Sequence, residues 1–286
     1  MTATDQEPRL PFARANALEI GPMYEALRRE GPIARVRTPA GDPAWLVTGY
    51  EEARALFGDE RLGRSHPAPE EAAMVSDSAL MGGPMGDHDS EQDFHTRMRR
   101  LLVPAFSAKR MRALTAHIED LVAGCLDAME EAHRRSPDKP VDLHRLLSMP
   151  LPIMVICELL GVPYDDRAYF RDLSDRVSRM DTGGDARLAW QEFGAYMKRL
   201  AAEKLADPAD DVVSDLALAQ REDPFADAEF AMLAAGLLFA GHETTVNRID
   251  LGVLWLLSDL GRRDALLADL EGRAQDTVEE ILRLSA

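Results

Sequence analysis

The chain has 286 residues, 46% of them hydrophobic, with 50 acidic against 33 basic side chains and a formal charge of −17. That apolar content can bury a large core, while the acid excess opposes binding to nucleic acid or to an anionic membrane surface. Met1–Pro11 lacks the basic-then-apolar pattern of a secretion signal, and no stretch has the length of a membrane span, so the expectation is a cytoplasmic protein that meets small molecules or basic protein faces.

In chain order, Pro22 to Glu30 reads as a short helix. Ile33–Val36 and Trp45–Thr48, on either side of Pro39-Ala40-Gly41-Asp42-Pro43, read as a hairpin, and Tyr50 to Phe57 as a second short helix. From Gly63 to Asp89 the composition is Pro, Gly, Met and acid without a period, which describes a loop able to serve as a lid. Helices then follow over Asp93–Val103, Ala108–Arg134, Leu143–Leu160, Asp166–Met180, Ala186–Ala206, Val212–Arg221, Ala226–Leu260, Arg263–Leu270 and from Asp276 onward. The fold class is mainly α with a small N-terminal β element. No internal repeat and no interdomain linker interrupts it, which points to one domain over 1–286. Cys125 and Cys157 each sit on a helical apolar stripe, as inert core residues do.

Chemistry concentrates in Ala240-Gly241-His242-Glu243-Thr244-Thr245, in the middle of an apolar helix. A carboxylate inside such a rod costs several kcal/mol unless it is paired, hydrated or facing a cavity. Thr244 can bond back to the carbonyl of Ala240, and Gly241 leaves space beside it, so the helix is expected to bend or open here. Two readings remain: a groove where an acid and an alcohol deliver protons to a small molecule, or a Glu243 paired with a distant arginine and threonines that only satisfy backbone.

Two further patterns stand out. His95 and Arg99 lie one turn apart and make a clamp suited to carboxylate or phosphate, or else a solvated basic face above Met98, Leu101 and Leu102. Glu280 and Arg283 are spaced to pair with each other. Several metal and nucleotide motifs fail. His242-Glu243 opens like a zinc-protease site, but Val246 stands at the second histidine; Asp87, Asp89 and Glu91 open like a calcium loop, but Gln92 and Met98 replace its glycine and glutamate; Gly82-Gly83 lacks a dinucleotide fingerprint's context.

In this order and spacing, Ala240-Gly241-His242-Glu243-Thr244, His95-Thr96-Arg97-Met98-Arg99 and Glu280-Ile281-Leu282-Arg283, with the intervening Leu151–Pro163 segment, resemble a bacterial class I cytochrome P450 from Pro22 to Ala286. The resemblance implies a P450-like helical fold and a haem b cofactor. It implies a monooxygenase that inserts one oxygen atom into a small hydrophobic, secondary-metabolite substrate, with electrons from a ferredoxin and its reductase. By the same resemblance Glu243 and Thr244 relay protons to dioxygen, Ala240 and Gly241 border the oxygen groove, and His95 and Arg99 bind a haem propionate. Phe239 borders the substrate, Gly63–Asp89 covers it, and Glu280 and Arg283 form a buried structural pair. Gln92-Asp93-Phe94 departs from the prolines many relatives carry before His95. The family's haem cysteine lies beyond the glutamate–arginine helix, and neither Cys125 nor Cys157 matches it, so the expectation is a single, incomplete domain without its metal ligand. The alternatives are a haem-free P450-like auxiliary or scaffold protein, or an inactive truncated product.

Overall fold

A tight turn organises the first part of the chain. In the computed structural model, which describes residues 7–76, 82–178, 184–222 and 227–284, Gly41 adopts φ +102°, and Thr38 N donates to Asp42 O at 2.8 Å. The turn joins β1 (Ile33–Arg37) to β2 (Pro43–Val47) in antiparallel register, Ile33 opposite Val47 and Arg37 opposite Pro43. Pairing runs closer to the turn than the residue pattern indicates. Pro43 is tolerated there because its partner Arg37 sends its own N–H away from the pair, to Pro8 O at 2.8 Å. Helices α1 (Pro22–Glu30) and α2 (Tyr50–Phe57) lie where expected. The Gly63–Asp89 region holds only a short 3-10 turn at Pro69–Glu71, and residues 77–81 within it lie outside the described residues.

The remaining helices are α3 (Glu91–Leu102), α4 (Ala108–Arg135), α5 (Pro150–Leu160), α6 (Arg167–Ser178), α7 (Gly184–Ala206), α8 (Val212–Glu222), α9 (Asp227–Gly241), α10 (Glu243–Ser258), α11 (Leu260–Ala268) and α12 (Leu270–Leu284). The chain divides within α3, after Arg97, into two units. The first contains the hairpin, with Val36 fully buried. The second has its core among α5 to α9, where Leu160, Phe170, Leu173 and Val213 are completely covered and Phe170 packs on Phe193 and Tyr196 with ring centroids 5.5 and 5.9 Å apart.

Four expected helices come out differently. Leu143–Leu160 is not continuous: His144–Ser148 forms a π-helical turn, with Met149 N bonded to His144 O at 2.9 Å, before α5 starts. Pro150 and Pro152 cannot donate the amide bonds a continuous helix would need, so the ladder is re-routed ahead of them. Ala226–Leu260 is broken at His242. The C-terminal helices start earlier than expected because Asp259 accepts from Gly261 N at 2.9 Å and Asp269 from Gly272 N at 3.1 Å. A capping aspartate makes the following glycine a first-turn residue rather than a breaker.

Asp211 ties the second unit together. It is 4% exposed, pairs with Lys204 Nζ at 2.6 Å, and caps α8 by accepting from Ser214 N at 2.8 Å. Gly161 ends α5 at φ +74°, and a Cβ there would stand 2.2 Å from the Asp211 carboxyl carbon. The α5 terminus can therefore close over Asp211 only as glycine. Replacing Asp211 by alanine strands the Lys204 charge and uncaps α8. We expect Asp211→Ala to lower unfolding free energy by about 3 kcal/mol in a urea titration, with Lys204→Met largely relieving the loss when added to it.

Candidate functional site

The break between α9 and α10 is built by three neighbouring residues. His242 lies at the edge of the right-handed helical region, φ −88°, ψ −78°, its N–H reaching Leu238 O at 2.9 Å and its carbonyl accepting from Val246 N at 3.0 Å. Thr244 Oγ1 donates to Ala240 O at 2.5 Å, the back-bond expected from the sequence, and it draws that carbonyl to the side-chain hydroxyl. A Cβ on Gly241 would lie 2.3 Å from Ile156 Cδ1, so the glycine lets α5 approach without displacing the end of Ile156.

These residues separate into two faces. Gly241, His242 and Val246 form the covered face, His242 at 5% exposure and with Nε2 unpartnered. Ala240, Glu243, Thr244 and Thr245 form an exposed one. The expected buried acid is thus corrected: Glu243 is exposed and without an arginine partner among the described residues. The half-turn between positions 241–242 and 243–245 is what puts core contact on one side and polar groups on the other. Phe239 belongs to α9, and its side chain lies outside the described residues.

Helix α10 is gripped further along. His144 of the π-turn contacts Asp250 Oδ2 through Nδ1 at 2.6 Å, and Gly252 receives Ile281 of α12 so closely that a Cβ would sit 3.0 Å from its Cδ1. On α12 itself, Glu280 and Arg283 pair as expected, through two bonds of 2.7 Å each. The pair is exposed rather than buried, with 40% and 67% of the two side chains accessible. The arginine holds the Glu280 carboxyl below its ordinary range.

On α3, His95 and Arg99 are exposed one turn apart, and neither has a hydrogen-bond or ion-pair partner among the described residues. The start of α3 is set by Glu91, which the sequence reading passed over except as a failed calcium ligand. Its carboxylate accepts from Arg64 N at 2.6 Å, from Ser65 N at 3.1 Å and, at very short range, from Ser65 Oγ. Its place in the first turn of a helix was the available signal. Gly63 packs against the same carboxylate, where a Cβ would come within 2.4 Å of Oε2.

Both cysteines are core residues as expected, Cys125 at 6% and Cys157 at 1% exposure. Burial pushes the Cys157 thiol up to about 12 and raises that of Cys125 as well, so both stay protonated at neutral pH. No group of three or more His, Cys, Asp or Glu side chains able to hold a metal ion occurs among the described residues. Nor is any described helix long and apolar enough to cross a membrane.

Comparison with known proteins gives this geometry a family. Pentalenolactone synthase of Streptomyces exfoliatus is 44% identical over 97% of the chain and 68% of its own length. Cytochrome P450 BJ-1 of Bradyrhizobium diazoefficiens is 38% identical, again over 97% of the chain and 68% of the relative. Among solved structures, substrate-free cytochrome P450 PimD, a polyene macrolide antibiotic pimaricin epoxidase, superposes with a TM-score of 0.85 at 36% identity, covering 99% of this chain and 71% of that one. No protein-family model matches. With this degree of identity carried along nearly all of its length, the chain belongs to the cytochrome P450 monooxygenases, haem-iron oxidoreductases.

Two outcomes test the geometry. Gly241→Ala forces a methyl onto Ile156, an overpacking change of about 1–3 kcal/mol. The double variant with Ile156→Ala should lose less than the sum of the single losses in a double-mutant cycle. Glu91 has its carboxyl lowered chiefly by Ser65 Oγ, then by the Arg64 amide. Because its folded value is depressed, the anchoring is present above the ordinary carboxylate range and is lost as pH falls through the depressed value. Hydrogen-exchange protection of the Arg64 and Ser65 amides should follow that profile, and Glu91→Ala should abolish the protection at every pH.

Proposed function

We propose that residues 1–286 belong to one P450 domain of a bacterial monooxygenase that inserts an oxygen atom into a small hydrophobic secondary metabolite. Its electrons come from a ferredoxin and ferredoxin reductase in the cytoplasm. The observation that carries the reading is the helix break, where Thr244 bonds to Ala240 O beside an exposed, unpaired Glu243, in a chain of this family. The biosynthetic names of the relatives, a pentalenolactone synthase and a pimaricin epoxidase, support the substrate class.

Haem b, when bound, supplies dioxygen activation at iron. The chain's residues fit its periphery. His95 and Arg99, exposed and without partners among the described residues, suit the two oxygens of a propionate. Ala240 presents only a methyl on the exposed face, so the helix offers a flat approach there. The donor set is different at the metal: Cys125 and Cys157 are covered, protonated thiols that do not suit a thiolate ligand. Glu243, in contact with water, takes up protons at its carboxylate and passes them toward Thr244 Oγ1. The hydroxyl's hydrogen bond to Ala240 O orients it, and its lone pairs stay available to receive a proton. Phe239 borders the substrate, Gly63–Asp89 covers it, and the Glu280–Arg283 pair braces α12.

Haem uptake by the chain, followed by absorbance, separates these roles. Arg99→Ala and His95→Ala should each weaken haem binding about tenfold, as loss of a charge-assisted hydrogen bond does. Thr244→Ala should leave affinity unchanged while diverting electrons supplied through ferredoxin into peroxide. Wild-type affinity in both clamp variants would refute the propionate assignment, and a chain that takes up no haem would refute the monooxygenase reading.

A further inference from the structure

We infer that the substrate is an apolar molecule carrying a carboxylate, and that Arg64 is the residue that selects it. The inference rests on the monooxygenase reading above, with Gly63–Asp89 as the covering segment. Within the first unit, described residues of this segment line an open cavity of about 360 Å³, near the lower end of the roughly 300–1,000 Å³ that small-molecule sites occupy. Val75, Pro84 and Met85, with two alanines, give it an apolar wall, and Arg64, Ser65 and His66 a polar edge; none of the lining residues is acidic.

The charge at that edge is unbalanced. Arg64 is exposed, and the only hydrogen bond of its guanidinium among the described residues runs from Nη2 to the Met85 thioether at 2.5 Å. A thioether is a weak, uncharged acceptor, so most of the five N–H donors of the fork remain available. Glu91 is the nearest acid, and it attracts Arg64, but its oxygens already accept from the Arg64 and Ser65 amides and from Ser65 Oγ. It therefore fixes the main chain of Arg64 and leaves the side chain uncommitted. Arg110, by contrast, is held by Asp210 and Asp215 at 2.7 Å each. In a chain of net charge −17 the general field repels anions, so a bound carboxylate needs a dedicated local cation. Arg64 meets it with a fork that matches both oxygens, while the hydrocarbon body lies against Val75, Pro84 and Met85.

Adamantane carboxylate and its neutral carboxamide are shape-matched probes small enough for this cavity. Titrated calorimetrically into the full chain at neutral pH, the carboxylate should bind about tenfold or more tightly than the carboxamide. Arg64→Gln should erase that preference and Arg64→Lys keep part of it. Both variants retain the Arg64 amide that Glu91 holds, and thermal unfolding at the wild-type temperature verifies their fold. Equal binding of the two probes, failure of the carboxylate to bind, or a preference that survives Arg64→Gln overturns the assignment. Haem uptake, measured on the same samples, should be unaffected by Arg64→Gln. Its absence from the wild-type chain would refute the monooxygenase reading while leaving the charge preference a separate result.

Discussion

The contact of Gly241 with Ile156 decides how the chemistry-bearing helix is presented. A Cβ at position 241 would stand 2.3 Å from Ile156 Cδ1, so any side chain there must push the end of Ile156 aside, and α9 ends at this glycine. The covered residues on either side of the break, Leu238 at 2% and Val246 at 4% exposure, hold both halves in the core. Between them the chain turns His242 inward and Glu243 and Thr244 outward. A polar group costs little on an exposed face and several kcal/mol in the core. The break is thus the device by which one helix serves both a core and a polar surface without burying a charge.

That device needs a rigid seat, which the second unit builds from a few committed polar groups. Asp211 holds Lys204 and the first turn of α8 together beneath the end of α5, and Arg110 joins α4 to α8 through Asp215. Asp211, the buried one, accepts on both oxygens, as buried charge requires. Glu243 and Arg99, both exposed, have no protein partner among the described residues. Groups that stabilise the fold are paired here, and those proposed to meet a ligand are not, which is the distribution expected of a preorganised site.

Much of this was legible in the residues. Element type and order followed from periodicity, and the Thr244 back-bond and the opening of the helix followed from the hydroxyl and glycine spacing. The hairpin turn was marked by Gly41, and both cysteines lay on apolar stripes. What was not legible depended on partners distant in sequence. Nothing near Gly241 announces that Ile156, 85 positions earlier by simple subtraction, fills the space beside it. Nothing near Glu91 announces Arg64 and Ser65. The exposure of Glu243 and of the Glu280–Arg283 pair was misread for a related reason: hydrophobic neighbours in sequence imply a buried segment, but a helix can bury one face and expose the next residue. The clamp residues and the relay pair owe their functional reading to family resemblance, because their local patterns also suit a solvated surface.

Cys157 shows how packing fixes chemistry against local electrostatics. Arg167 lies near enough to favour its thiolate and Glu158 near enough to oppose it, so the two charges act in opposite directions. These two residues pair with each other, and Glu158 also meets His117 Nε2 at 3.3 Å, which leaves little net field for the sulfur. Burial is then the largest influence, and the thiol moves up to about 12. A side chain that is 1% exposed amid Leu159, Leu160 and Ile153 has neither the charge nor the access that binding iron demands. Its small apolar volume is what α5 uses, in the same helix whose Ile156, one position away, faces Gly241. Cys157 is for that reason unsuited to ligate iron.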